Sequence, residues 1–188
     1  MISLWALPAN AAQKFYRSDG TIVRYYLENA EAAQLPNING VLVLNSGSSS
    51  FQHDVEYNIK QTVPNEQLEY VLQGFRGFAQ QVIESNESFP VEVSGHGYAF
   101  WKDALERDLL APIAHIKAPV IIMQSEKDES VDPVITQQQI ESIIKAGATN
   151  VQLIMVPDLD HSFRDVNGSS KLTEVVNKAA KLFIGEVE

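Results

Sequence analysis

Two residues able to do acid–base chemistry stand just past the ends of two apolar runs. Asp128 lies four residues beyond Gln124, after the run Pro119-Val120-Ile121-Ile122-Met123. His161 lies five residues beyond Val156, after Val151-Gln152-Leu153-Ile154-Met155. Parallel strands of an open α/β sheet gather their ligands at the carboxyl ends of the strands. Two such strands side by side would therefore bring this carboxylate and this imidazole to one edge. An aspartate that accepts a hydrogen bond from Nδ1–H fixes the histidine tautomer. It also stabilises the imidazolium formed when Nε2 takes a proton from a hydroxyl.

The neighbouring acids read differently. Asp132 directly precedes Pro133, the pattern of a helix N-cap followed by proline at the first helical position. Asp158 and Asp160 read as solvated loop acids that make the surroundings of His161 more negative, and either could tune the imidazole. Singly, Asp128 could be a turn residue and His161 an ordinary loop histidine. The functional reading comes from the two together. His53 and His115 read as surface or packing histidines, and Ser94 and His96 lie in a turn. The four histidines show no metal-ligand spacing such as His-x-x-x-His. No Gly-x-Gly-x-x-Gly or Gly-x-x-x-x-Gly-Lys-Ser/Thr loop is present to cradle a phosphate. No cofactor and no metal are expected.

The elements that must position the pair follow from periodicity. Thr21–Leu27, after Asp19-Gly20, reads as a strand in a hairpin with residues near Phe15. Gly40–Leu44 is a continuous apolar run of the kind buried on both faces in parallel sheets. Residues 51–63 read as a polar linker without an apolar helical stripe. Leu68, Val71, Leu72, Phe75, Phe78, Ala79, Val82 and Ile83 recur at helical spacing and predict a helix over about 65–84. Ser85 to Gly97 reads as a loop, and Phe100 to Leu110 as a further helix. Beyond residue 118 the order is strand, helix, strand, helix with short connections, hence right-handed βαβ units and a parallel sheet. The expected architecture is one α/β domain over 1–188, a mainly parallel sheet flanked by helices, with a small helical cap over 52–112.

Bulk properties set the outer bounds. The 188 residues suffice for one domain with a sizeable core. The net charge of −10 would repel a polyanionic backbone, which argues against nucleic acid as a partner. There is no cysteine, so disulfides, thiolate nucleophiles and zinc–sulfur sites are excluded. No run reaches the roughly 18–20 apolar residues of a membrane span. Ile2 to Ala9 is apolar and is followed by the small-x-small triplet Ala9-Asn10-Ala11, but no basic stretch precedes it. A clipped signal peptide, with export, and a short segment packed on a cytoplasmic domain both remain open.

The residues from about 98 to 184 resemble the C-terminal portion of the α/β-hydrolase family. The run Pro119-Val120-Ile121-Ile122-Met123-Gln124 with Asp128, Val131 and Pro133 is similar to its acid strand and following turn. Pro157, His161 and Phe163 are similar to its histidine loop, and the final amphipathic helix to the one that closes the fold. Trp101–Leu105, leading to Ile113–Pro119, is similar to the stretch before the acid strand in esterase-like members. The resemblance implies Asp128 as triad acid, His161 as base, and an ester or similar acyl compound as substrate. The cap aromatics Phe75, Phe78, Tyr98, Phe100 and Trp101 would then line or cover an apolar pocket.

The family's Gly-x-Ser-x-Gly nucleophile turn is absent. The nearest tract is Leu44-Asn45-Ser46-Gly47-Ser48-Ser49-Ser50, with a single glycine. Ser46 or Ser48 could be an unorthodox nucleophile, with Ser48 preferred. The tract could instead be an oxyanion loop using the backbone N–H groups of Gly47 and Ser48. It could also be the loop after a later strand, with the nucleophile strand absent from this chain, and the strand-to-cap pattern favours that third reading. The chain would then be a shortened member, either catalytic or an inactive binding or oligomerisation module whose exposed edges a second copy covers.

Overall fold

The computed structural model describes residues 14–16, 22–24, 39–47, 50–108 and 110–185. The apolar N-terminal stretch, Ser48 and Ser49 lie outside the described residues.

At the centre is a three-stranded parallel sheet in the order β3-β4-β5, with β3 at Val41–Leu44, β4 at Val120–Ser125 and β5 at Val151–Val156. The register pairs Val41 with Val120 and Val120 with Val151. All six residues of β4 are buried, as expected of a strand with a neighbour on each side and helices on both faces. Its side chains alternate between two cores, as the two-residue strand period requires. Val120 and Ile122 join Val41, Val43, Ile113, Ile116 and Ile140 on one face. Ile121 and Met123 join Leu159, Phe163, Val175 and Ala179 on the other. β3 departs from the expected burial on both faces: Val41 and Val43 are buried, Leu42 and Leu44 only half so. The described residues place β3 at the edge of the sheet, with Leu42 and Leu44 on the face that carries α6.

Of the described helices, α1 spans Phe51–Thr62, α2 Asn65–Glu84, α3 Tyr98–Glu106, α4 Ala111–His115, α5 Pro133–Lys145 and α6 Leu172–Phe183. α5 starts as the sequence suggests, with Asp132 Oδ1 accepting from Val134 N and Ile135 N and with proline at N1. Its Ile140 is fully buried, and Val175 and Ala179 of α6 are buried on the opposite face of the sheet. Burying each large aliphatic side chain contributes about 1.5–3 kcal/mol, so these two stripes hold the helices to the sheet. Gly40 is needed where β3 passes under α6, because a Cβ there would come within 2.6 Å of Phe183 Cε1. The expected hairpin also forms, with Phe15 of β1 (Lys14–Tyr16) opposite Val23 of β2 (Ile22–Arg24).

Residues 51–62 form a helix where a polar linker is expected. Ser50 caps it by accepting from His53 N. Phe51, Val55 and Ile59 recur every fourth residue and meet Leu68, Leu72 and Phe75 of α2. This stripe is one residue wide and becomes visible only with α2 beside it. α1, α2 and α3 together make a helical layer. At its centre is Trp101, which contacts Phe51, Phe75, Phe78 and Phe100 edge-on or tilted.

Candidate active site

β4 and β5 run parallel and in register to their ends, so the loops that follow them emerge at the same sheet edge. The two loops are held together by Glu126 N donating to Val156 O and Lys127 N donating to Leu159 O. Asp128 and His161 meet there. His161 Nδ1 lies 2.9 Å from Asp128 Oδ2 and 3.1 Å from Oδ1. Only an Nδ1–H donor suits two carboxylate oxygens, so this contact leaves Nε2 as the free acceptor of the neutral ring.

Asp128 is 1% exposed, and its carboxylate is supplied with donors. Oδ1 accepts from Ser130 N (2.8 Å) and Val131 N (2.9 Å), and Oδ2 accepts from Gln124 Nε2 (3.1 Å). A buried carboxylate without such partners would be heavily penalised. α1 adds two ties to the same loop: Tyr57 Oη donates to Asp128 O at 3.0 Å and Asn58 Nδ2 to Glu129 O at 2.9 Å. His53, read from sequence as a surface or packing residue, pairs through Nε2 with Asp132 Oδ2 at 3.2 Å.

The His161 side chain is 46% exposed, which leaves the ring reachable from solvent. Partial burial pushes its pKa down. The hydrogen bond and charge of Asp128, with the charges of Asp160 and Asp54, more than offset this and hold the pKa above its ordinary 6.5. Asp160 is tied into its loop by accepting from Ser162 N and Arg164 N, each at 2.8 Å. Asp158 pairs with Lys127 at 2.6 Å.

Asn45 is a part of the site that sequence reading misses. It sits at the C-terminal end of β3, 5% exposed, with φ +43, in the left-handed region that asparagine tolerates better than most residues. Its Oδ1 accepts from Ser125 N at 2.7 Å. Its Nδ2 donates to Ser125 Oγ (3.0 Å) and His161 O (2.8 Å). One side chain thus joins β3, β4 and the histidine loop. The available signal was a polar residue in line after an apolar strand. Its partners lie 80 and 116 residues away and are invisible to local patterns.

The Ser46–Ser50 tract begins beside this junction. Ser46 is half-buried and Gly47 buried. A Cβ on Gly47 would fall 1.9 Å from Asp54 Oδ2, so a larger residue there would displace this carboxylate. Ser50 belongs to the start of α1, and Ser48 lies outside the described residues. Among the described residues the ring of His161 bonds Asp128 and no serine hydroxyl.

His161 opens on a cavity of about 440 Å³ whose walls include Asn58, Lys127, Glu129, Ser130, Asp160 and Arg164. The sequence suggests an apolar pocket lined by the helical aromatics. Instead this cavity is polar, and Trp101 is 1% exposed in the core of the helical layer, its Nε1 donating to Val93 O at 3.2 Å. Those aromatics are drawn together because each has an apolar face to bury and α1–α3 supply the facing surfaces. Among the described residues no group of three or more histidine or acidic side chains could hold a metal ion, and no helix is long and apolar enough to cross a membrane.

No family model and no curated protein matches this chain. Solved structures similar to it include E-2-(acetamidomethylene)succinate hydrolase, at 15% identity and TM-score 0.49, covering 84% of this chain and 62% of that one. The proline iminopeptidase of Mycobacterium smegmatis is similar at 16% identity and TM-score 0.47, over 84% and 61% of the two chains. The monoacylglycerol lipase of Paleococcus ferrophilus is similar at 13% identity and TM-score 0.45, over 85% and 64%. The chain spans less than two thirds of the length of each. Its own geometry has an α/β-hydrolase-like layout in the described residues: parallel strands flanked by helices, an aspartate after β4, a histidine after β5, and the helix α6 after that.

Proposed function

We propose that this chain is a hydrolase of an ester or similar acyl substrate, with Asp128 and His161 as its acid–base pair and a serine of the 46–50 tract, Ser48 foremost, as nucleophile. The observation that carries the reading is the buried Asp128 carboxylate. It is held by three donors and turned with both oxygens toward Nδ1 of a half-exposed histidine. The position of the tract supports it, since Asn45, three residues before Ser48, is bonded to the carbonyl of His161. So does the order of the elements on either side of the tract, β3 at Val41–Leu44 before it and α1 at Phe51–Thr62 after it.

In this mechanism Nε2 of His161 takes the serine proton as Oγ attacks the acyl carbon. The tetrahedral oxyanion accepts hydrogen bonds from tract backbone N–H groups, those of Gly47 and Ser48 being the candidates. The imidazolium, stabilised by Asp128, then gives its proton to the leaving group. Water, deprotonated by the same nitrogen, releases the acid and restores the serine.

The pH–rate profile tests this. A general base must be neutral, and His161 holds its proton above pH 6.5. Hydrolysis of p-nitrophenyl acetate is therefore expected to rise with pH through a midpoint above 6.5 and then level off. A rate independent of pH between 5 and 8.5, after subtraction of the buffer rate, overturns the reading. Stability has the opposite trend. The raised folded-state pKa contributes stability that is complete below the unfolded value and is lost as pH rises through the folded one.

A further inference from the structure

Gln124 is fully buried in the central strand, between Met123 and Ser125, which are also fully buried. Its Nε2 donates to Asp128 Oδ2 at 3.1 Å and to Ser125 O at 3.2 Å. Its Oε1 is buried with no hydrogen-bond partner among the described residues. A buried acceptor left unpaired costs about 1–3 kcal/mol, and an apolar side chain of the same length avoids that cost. The amide cannot be turned to relieve it, because Oε1 would then face Asp128 Oδ2 and Ser125 O, both acceptors. The position thus bears a stability cost, and the group its donor serves is the carboxylate that faces His161.

We propose that Gln124 is a positioning residue: its buried amide holds Asp128 Oδ2 and so fixes the direction and strength of the hydrogen bond that Asp128 offers to His161. Oδ2 is the shared atom, 3.1 Å from Gln124 Nε2 and 2.9 Å from His161 Nδ1. The amide N–H places the positive end of a dipole on that oxygen and draws off part of the charge that the imidazolium would otherwise feel. The other charges acting on His161 are Asp160 from its own loop and Asp54 from α1, and Lys127, Glu129, Asp158, Arg164 and Asp165 line the same cavity.

The test uses Gln124→Met, with Gln124→Leu as a second apolar variant in case the first repacks. NMR titration of the His161 imidazole and thermal melting are read together. The expected result is a Tm held within about 4 °C and a His161 midpoint moved upward, because Asp128 presents its full charge to Nδ1. A midpoint that stays or falls while the variant remains folded overturns the proposal. If both variants lose Tm by more than that range with an unmoved midpoint, Gln124 is a packing residue and the proposal is equally overturned. A kinetic arm rests on the hydrolase reading. There kcat at neutral pH is expected to fall by about 10–100-fold with KM unchanged, as for residues that orient a catalytic ligand. Absence of hydrolysis in the wild type counts against that reading alone, since the imidazole titration needs no turnover.

Discussion

Replacing Asp128 with asparagine is expected to lower kcat for a short-chain ester by about 10⁴-fold with the fold retained. The hydrogen bonds around the carboxylate explain why. Oδ1 accepts from two backbone N–H groups, so the oxygen of an asparagine would keep that position. Its amide nitrogen would then take the place of Oδ2 and donate to His161 Nδ1. That forces the proton onto Nε2, and an Nε2–H cannot accept one from a serine. Gln124 Nε2 would face the new amide nitrogen and keep only Ser125 O as acceptor, so a loss of about 1–3 kcal/mol is expected to accompany the substitution. His161→Ala removes the base itself and is expected to match this loss. The measurement is kcat and KM on p-nitrophenyl acetate beside circular dichroism of each variant. Wild type and variants hydrolysing at one common background rate would leave a binding module as the better description.

Asn45→Ala is expected to lower stability by about 3–5 kcal/mol, a large share of the 5–15 kcal/mol that holds a domain of ordinary stability together. Ser125 is fully buried, and the substitution takes from it both the acceptor of its N–H and the donor to its hydroxyl. Each unpaired buried group costs about 1–3 kcal/mol. Alanine also suits the left-handed backbone at φ +43 less well than asparagine. Urea denaturation gives the loss directly. Asn45→Gly, which frees the backbone but not the buried groups, is expected to lose less. The same substitution releases the carbonyl of His161, so the histidine titration should broaden and activity fall with stability.

How much of this was legible in the sequence depended on the range of the contact. The Asp128–His161 pair was readable because each residue directly follows an apolar strand, and two parallel strands ending together leave little choice of where their loops meet. The N-cap at Asp132 was readable because proline follows it. α1 was not, because Phe51, Val55 and Ile59 are diluted by Gln52, His53, Asp54, Glu56, Asn58 and Lys60, and the surface they bury against belongs to α2. The aromatic residues were legible as apolar and helical, but which apolar surface they cover is a tertiary question. They chose one another over the cavity beside His161. Asn45 and Gln124 were illegible for a further reason. Buried amides carry no periodic signal, and their value appears only when the partners that need a donor are in place.

The central claim is that His161, oriented by Asp128, activates a serine in the tract that follows β3. The most direct measurement is covalent labelling with a fluorophosphonate, followed by peptide mass spectrometry of wild type and His161→Ala. The account predicts one adduct within Ser46–Ser50 in the wild type and none in the variant. A wild type that stays unmodified, or a serine labelled equally in both proteins, contradicts it.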